Sequence, residues 1–147
     1  MSLKELLKSD LKDAMRAKEI ERRDCIRSIN TMIKQIEVDE RRDLDDAEVL
    51  KLIQRGIKQR EEAASQFKEA GRDDLVEKEL SQAQIFKNYL PKQLNDDELE
   101  VKTKAIIENI GASSMKDMGK VMGVASKEFA GVADGKRINE MVKKLLG

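Results

Sequence analysis

Apolar residues recur at helical spacing from one end of this chain to the other, and that regularity leaves little room for anything but an all-α fold. Leu3, Leu6, Leu7, Leu11, Ala14 and Met15 form one stripe. Cys25, Ile26, Ile29, Met32, Ile33 and Ile36 form a second, at the i, i+3, i+4, i+7 spacing of one helix face. Composition agrees. Of 147 residues 39% are charged, 39% hydrophobic and only 3% aromatic, with a single proline, which suits exposed helices around an aliphatic seam.

Local signals then divide the chain. Asp45-Asp46-Ala47-Glu48 reads as a capped helix start, followed by a stripe of Val49, Leu52, Ile53, Ile57, Ala64 and Phe67, with Gly71 as the stop. A fourth helix carries Leu75, Val76, Leu80, Ala83, Phe86, Tyr89 and Leu90, and Pro91 should end it near Leu90. Asn95-Asp96-Asp97-Glu98 repeats the capping signature and opens a helix through Ile106 and Ile107 that Gly111 breaks. Ser114 to Asp117 is a weaker capping box before a helix with Met118, Val121, Met122, Ala125 and Phe129. Gly131 ends that helix, and Asp134 caps a last one lined by Ile138, Met141, Val142, Leu145 and Leu146. The expected architecture is an N-terminal four-helix domain over residues 1–92 and a small C-terminal three-helix domain over 95–147.

The chain contains no histidine, which removes the Ser-His and Cys-His nucleophile pairs, histidine metal ligation and the imidazole proton shuttle. The residues thus favour a binding protein without catalytic residues, metal or cofactor. With 29 acidic and 29 basic residues there is no global polycation, so nucleic-acid binding needs a local basic face, and no DNA partner is expected. Cys25 has no partner in the chain, no apolar run approaches a membrane span, and Met1 to Asp10 is amphipathic and acid-bearing, unlike a secretory signal. These features lead to the expectation of a cytoplasmic protein without membrane association.

The least generic tract runs from Gly111 to Gly123. Gly119 and Gly123 lie one turn apart on one predicted helix face, where each glycine costs roughly 1 kcal/mol against alanine. Two readings fit: a neighbouring helix packs closely there, or the bare face receives a phosphate backbone beside Lys116 and Lys120. Gly131 to Arg137 lacks the spacing and following Ser or Thr of a phosphate-binding loop and reads as a helix start. Lys136 and Arg137 on that first turn oppose the helix dipole, as solvated charges or as ligands for an external anion. From Gly111 onward there are seven Lys or Arg and four Asp or Glu, a local excess of three positive charges. Phe67, Phe86, Tyr89 and Phe129 fall on apolar faces, which argues against base stacking. Asp39, Glu40, Asp43, Asp45 and Asp46 lack the calcium-loop pattern and read as a loop and a cap. Cys25 reads as a small core residue.

Together these motifs bear a family resemblance. Tyr89-Leu90-Pro91-Lys92-Gln93-Leu94, the tract from Gly111 to Gly123, Gly131 and Ala133-Asp134-Gly135-Lys136 closely resemble the YqeY-like family, as do Ile57 to Ala63 and Ala70-Gly71-Arg72. The resemblance implies two helical domains, the second similar to the tail of GatB, a subunit of the glutamine-dependent tRNA amidotransferase. In that enzyme the tail helps grip tRNA while the chemistry resides elsewhere. What it implies here is a tRNA-associated module with no active site, its candidate contacts Lys116, Gly119, Lys120, Gly123, Lys136 and Arg137. A protein-interaction adaptor, or an accessory to a carbon–nitrogen ligase with glutamine as amido donor, are the alternatives.

Overall fold

The computed structural model describes residues 1–147 and contains seven α-helices and no strand. They are α1 (Leu3–Arg16), α2 (Ile20–Glu40), α3 (Asp46–Glu69), α4 (Asp73–Lys87), α5 (Asp96–Ile110), α6 (Met118–Glu128) and α7 (Gly135–Leu146). They gather into two compact units, Met1–Leu90 and Pro91–Gly147, each with its own apolar cluster.

In the N-terminal unit, α1 opens on a full capping box in which Ser2 Oγ accepts from Glu5 N–H and the Glu5 carboxylate accepts from Ser2 N–H. Leu7 and Ala14, seven residues apart, are fully buried. Leu6 and Met15, expected on the same stripe, are 38% and 49% exposed. Each lies one residue outside the Leu7–Ala14 line, and one residue turns the side chain by about 100° around the helix. On α4, Leu80 is likewise exposed, while Ala83 and Phe86 face inward. Asp45 caps α3 by accepting from Glu48 N–H at 2.9 Å, but the Glu48 carboxylate pairs with Arg42 rather than returning to the cap.

Several long-range contacts tie this unit together. Phe86 of α4 is fully buried against Gly56 of α3, where there is no room for a β-carbon. The Arg60 guanidinium lies 4.0 Å from the Phe86 ring centroid and donates to Gly56 O at 3.1 Å. Glu37 near the end of α2 accepts from Lys4 Nζ at 2.6 Å and from Leu44 N–H at 2.9 Å, tying α1 and the α2–α3 loop together. Beyond the end of α4, Tyr89 donates its hydroxyl to Asp10 Oδ2 at 2.6 Å, with Arg22 of α2 3.7 Å from the same oxygen.

The C-terminal unit begins before its first helix. Leu94 N–H donates to Val132 O at 2.9 Å and Gln93 Nε2 to Gly131 O at 2.7 Å, so the segment after Pro91 is stitched to the turn between α6 and α7. Asn95 and Glu98 make a full capping box for α5, and Gly111 ends it in the left-handed region at φ +75°. The helix start expected at Ser114 is instead a 3-10 turn, Met115–Asp117, and α6 begins at Met118. Ser114 Oγ accepts from Lys116 N–H, two residues on, which favours the tighter turn. Leu99, Val121, Ala125, Phe129, Ile138 and Val142 fill the core.

Candidate nucleic-acid interface

Glycine inside a helix weakens it, so Gly119, in the first turn of α6, and Gly123, in its interior, call for a reason. Within the chain there is none. A β-carbon built on either meets no atom within 4 Å, in contrast to the crowded Gly56. Close packing of a neighbouring helix, one of the two readings of the pair, therefore does not occur within the C-terminal unit.

What the two glycines leave is a shallow open depression along α6, lined by Gly119, Lys120, Gly123, Val124, Lys127 and Glu128. Val121 and Ala125 turn the opposite way and are fully buried in the core. That burial fixes the helix about its axis and keeps the glycine face outward. Lys127 is absent from the candidates that the sequence suggests. It follows Lys120 by seven residues, two turns along one face, and that spacing is the signal that could have found it. Val124, likewise absent from them, is 44% exposed and adds an apolar contact point.

The remaining candidates are more scattered. Lys116 is exposed on the 3-10 turn, and Lys136 is exposed on the first turn of α7; neither lines the depression. Lys116, Lys120, Lys127 and Lys136 enter none of the ion pairs formed within the chain, whereas Arg137 does. One Arg137 amino group, Nη2, donates to Leu94 O at 2.7 Å and to Asp96 Oδ1 at 3.0 Å. Its guanidinium thus bridges the start of α7 to the start of α5, while its backbone N–H is capped by Asp134 Oδ1 at 2.8 Å. The α6 face offers a bare helix flank edged by two unpaired ammonium groups, Lys120 and Lys127, and one carboxylate, Glu128, a net single positive charge.

Elsewhere, Cys25 is 3% exposed, and burial pushes its thiol up to about 11 against the opposing pull of Arg60. Within the acidic tract, Glu40 pairs with Arg42, Asp45 caps α3, and Asp46 Oδ1 accepts from Leu3 N–H at 3.0 Å. No helix is long and apolar enough to cross a membrane.

The chain is similar to several fungal proteins named altered inheritance of mitochondria protein 41, mitochondrial. It is 39% identical to that of Lachancea thermotolerans over 99 residues, covering 67% of this chain and 53% of the relative. It is 28% identical to that of Pyrenophora tritici-repentis over 145 residues, covering 96% and 79%. It is 30% identical to that of Saccharomyces cerevisiae over 136 residues, covering 90% and 71%. The chain spans about half the length of the first of these. Their names correct the expectation of a cytoplasmic protein. One unpaired cysteine and no spanning segment suit any reducing interior, so composition does not discriminate the cytoplasm from an organelle. The profile of the family described as Yqey-like protein matches residues 4–146, and over that length, nearly the whole of it, the chain belongs to the YqeY-like family.

Proposed function

We propose that this chain is a non-catalytic, tRNA-associated binding module whose contact surface is the α6 face and its neighbouring cations. The observation that carries the reading is the pair Gly119 and Gly123, bare of any internal neighbour and edged by Lys120 and Lys127. A helix flank without side chains lets a phosphate–sugar backbone approach closely, and flexible ammonium groups on its rim contact phosphates as point charges. Lys116 and Lys136 extend the cationic surface, and Arg137 adds charge while holding Leu94. Recognition is by phosphate and shape: Phe129, the one aromatic of the C-terminal unit, is buried and unavailable to stack on bases at the α6 face. The two units act as separate four-helix and three-helix domains, the second similar to the tRNA-gripping tail of the amidotransferase. The relatives' names favour mitochondria as the setting in which it acts.

Exposed Val124 and Met115 favour a second reading, in which a partner helix docks on the same glycine face and the chain works as an adaptor or an accessory to a carbon–nitrogen ligase. Salt separates the two. Binding of unfractionated tRNA is measured at about 50 and 200 mM salt for the native chain and for Lys116→Gln/Lys120→Gln/Lys127→Gln. Neutralising one phosphate-binding cation lowers the log–log salt slope by about 0.7 to 0.9. A steep slope, reduced by about 2 to 3 in the triple variant, is the expected result. A folded protein that binds no tRNA at low salt would overturn the reading.

A further inference from the structure

Residues 49–60 contain four bases, Lys51, Arg55, Lys58 and Arg60, and no acid, in a chain whose acids and bases are equal in number. The fold treats the four differently. Arg60 turns inward onto the Phe86 ring. Lys51, Arg55 and Lys58 are exposed. At 100° per residue the three fall within about 60° of one another around α3, on the side away from buried Ile53 and Ile57. They occupy about 10 Å of helix axis, at 1.5 Å per residue. None of the three pairs with an acid, although Glu61 and Glu48, the acids that bound the tract, both form ion pairs elsewhere, with Lys87 and Arg42. Intrahelical stability does not explain the arrangement. Lys58 precedes Glu62 by four residues, the weaker orientation for such a pair, and the two form no ion pair.

From this ladder of free cations we infer a second polyanion-binding surface, on the N-terminal unit, that contacts RNA phosphates along the α3 face of Lys51, Arg55 and Lys58. The inference rests on the reading of the chain as an RNA-associated module and extends it: each unit carries its own phosphate-contacting helix face. The ligand chemistry is a regular array of phosphates. Three cations over about 10 Å match on the order of three successive charges of a nucleic-acid strand. Exposed Gln59 adjoins the ladder and can donate to phosphate or ribose oxygens.

The test compares the salt dependence of binding to unfractionated tRNA for the intact chain, for Lys51→Gln/Lys58→Gln, for Lys116→Gln/Lys120→Gln, and for the four changes together. All these side chains are exposed, and unchanged thermal melting verifies each fold. Each double variant is expected to reduce the slope of log K against log salt by about 1.5 to 2, and the quadruple variant by about twice that. A slope unchanged by the α3 pair but reduced by the α6 pair overturns the second surface and leaves the proposed function standing. A slope reduced by the α3 pair alone supports the second surface and removes the α6 face from the proposed function. Binding that no variant alters overturns both.

Discussion

Gly56 and Cys25 show what single positions contribute. At Gly56, a β-carbon would fall within the van der Waals envelope of the fully buried Phe86 ring, with one ring carbon at 2.8 Å, so the ring would have to shift within the core. Gly56→Ala is therefore expected to destabilise the chain by about 1–3 kcal/mol despite alanine's better helix propensity, read as a lower urea midpoint. Unchanged or increased stability would contradict the packing described. The Cys25 thiol, raised to about 11 by burial, stays neutral in the folded chain at neutral pH. Because its folded value exceeds the unfolded one, its contribution to stability is present below the unfolded value and is lost as pH rises toward 11. Thiol titration with a disulfide reagent at pH 8 should therefore show slow reaction in the native chain and prompt reaction in urea.

At the scale of elements, the sequence is legible where the signal is local. Asp45, Asn95 and Asp134 cap the helices they are expected to start, and Gly111 ends α5, because a cap depends on a few neighbouring residues. It is less legible where the determinant is three-dimensional. Leu6, Met15 and Leu80 share helical spacing with core residues, yet only the packing partner decides how wide a stripe is covered. The packing of Gly56 on Phe86, 30 positions apart, leaves no trace in spacing beyond one glycine inside a strong helical pattern. The Glu37 knot also escapes the sequence. Its carboxyl is held below the usual range, first by the Lys4 hydrogen bond and then by Leu44 N–H. A lowered folded value means that its contribution is present above the unfolded value and is lost as pH falls through the folded one. Glu37→Gln should accordingly melt below the native chain at pH 7, and the difference should shrink as pH falls below the ordinary carboxylate range, as followed by circular dichroism. At the far end of the unit, Tyr89→Phe removes a 2.6 Å hydrogen bond to Asp10 and should cost about 1–3 kcal/mol in a denaturant titration.

For the whole molecule, the candidate site is partly legible: the glycine pair and Lys120 stand out in the sequence, whereas their orientation does not. Spacing alone cannot say whether a bare helix face looks inward or outward. Val121 and Ala125 decide it by burying the other side of α6. Lys127 and Val124 join the face only once the helix register is fixed. Arg137, read as one of two equivalent cations, proves distinct from Lys136 because only its longer, forked side chain returns to Leu94 and Asp96.

On the proposed reading, α6 keeps its glycines for a ligand outside the chain. The most direct measurement takes one protein, Gly119→Ala/Gly123→Ala, and reads both its urea midpoint and its affinity for unfractionated tRNA at low salt. Each added methyl group meets open space, so the variant should be more stable, by up to about 1 kcal/mol at the interior Gly123 and by less at Gly119 in the first turn, while its tRNA affinity falls several-fold. A variant that gains stability and binds tRNA as tightly as the native chain would contradict a role for the glycine face in tRNA binding.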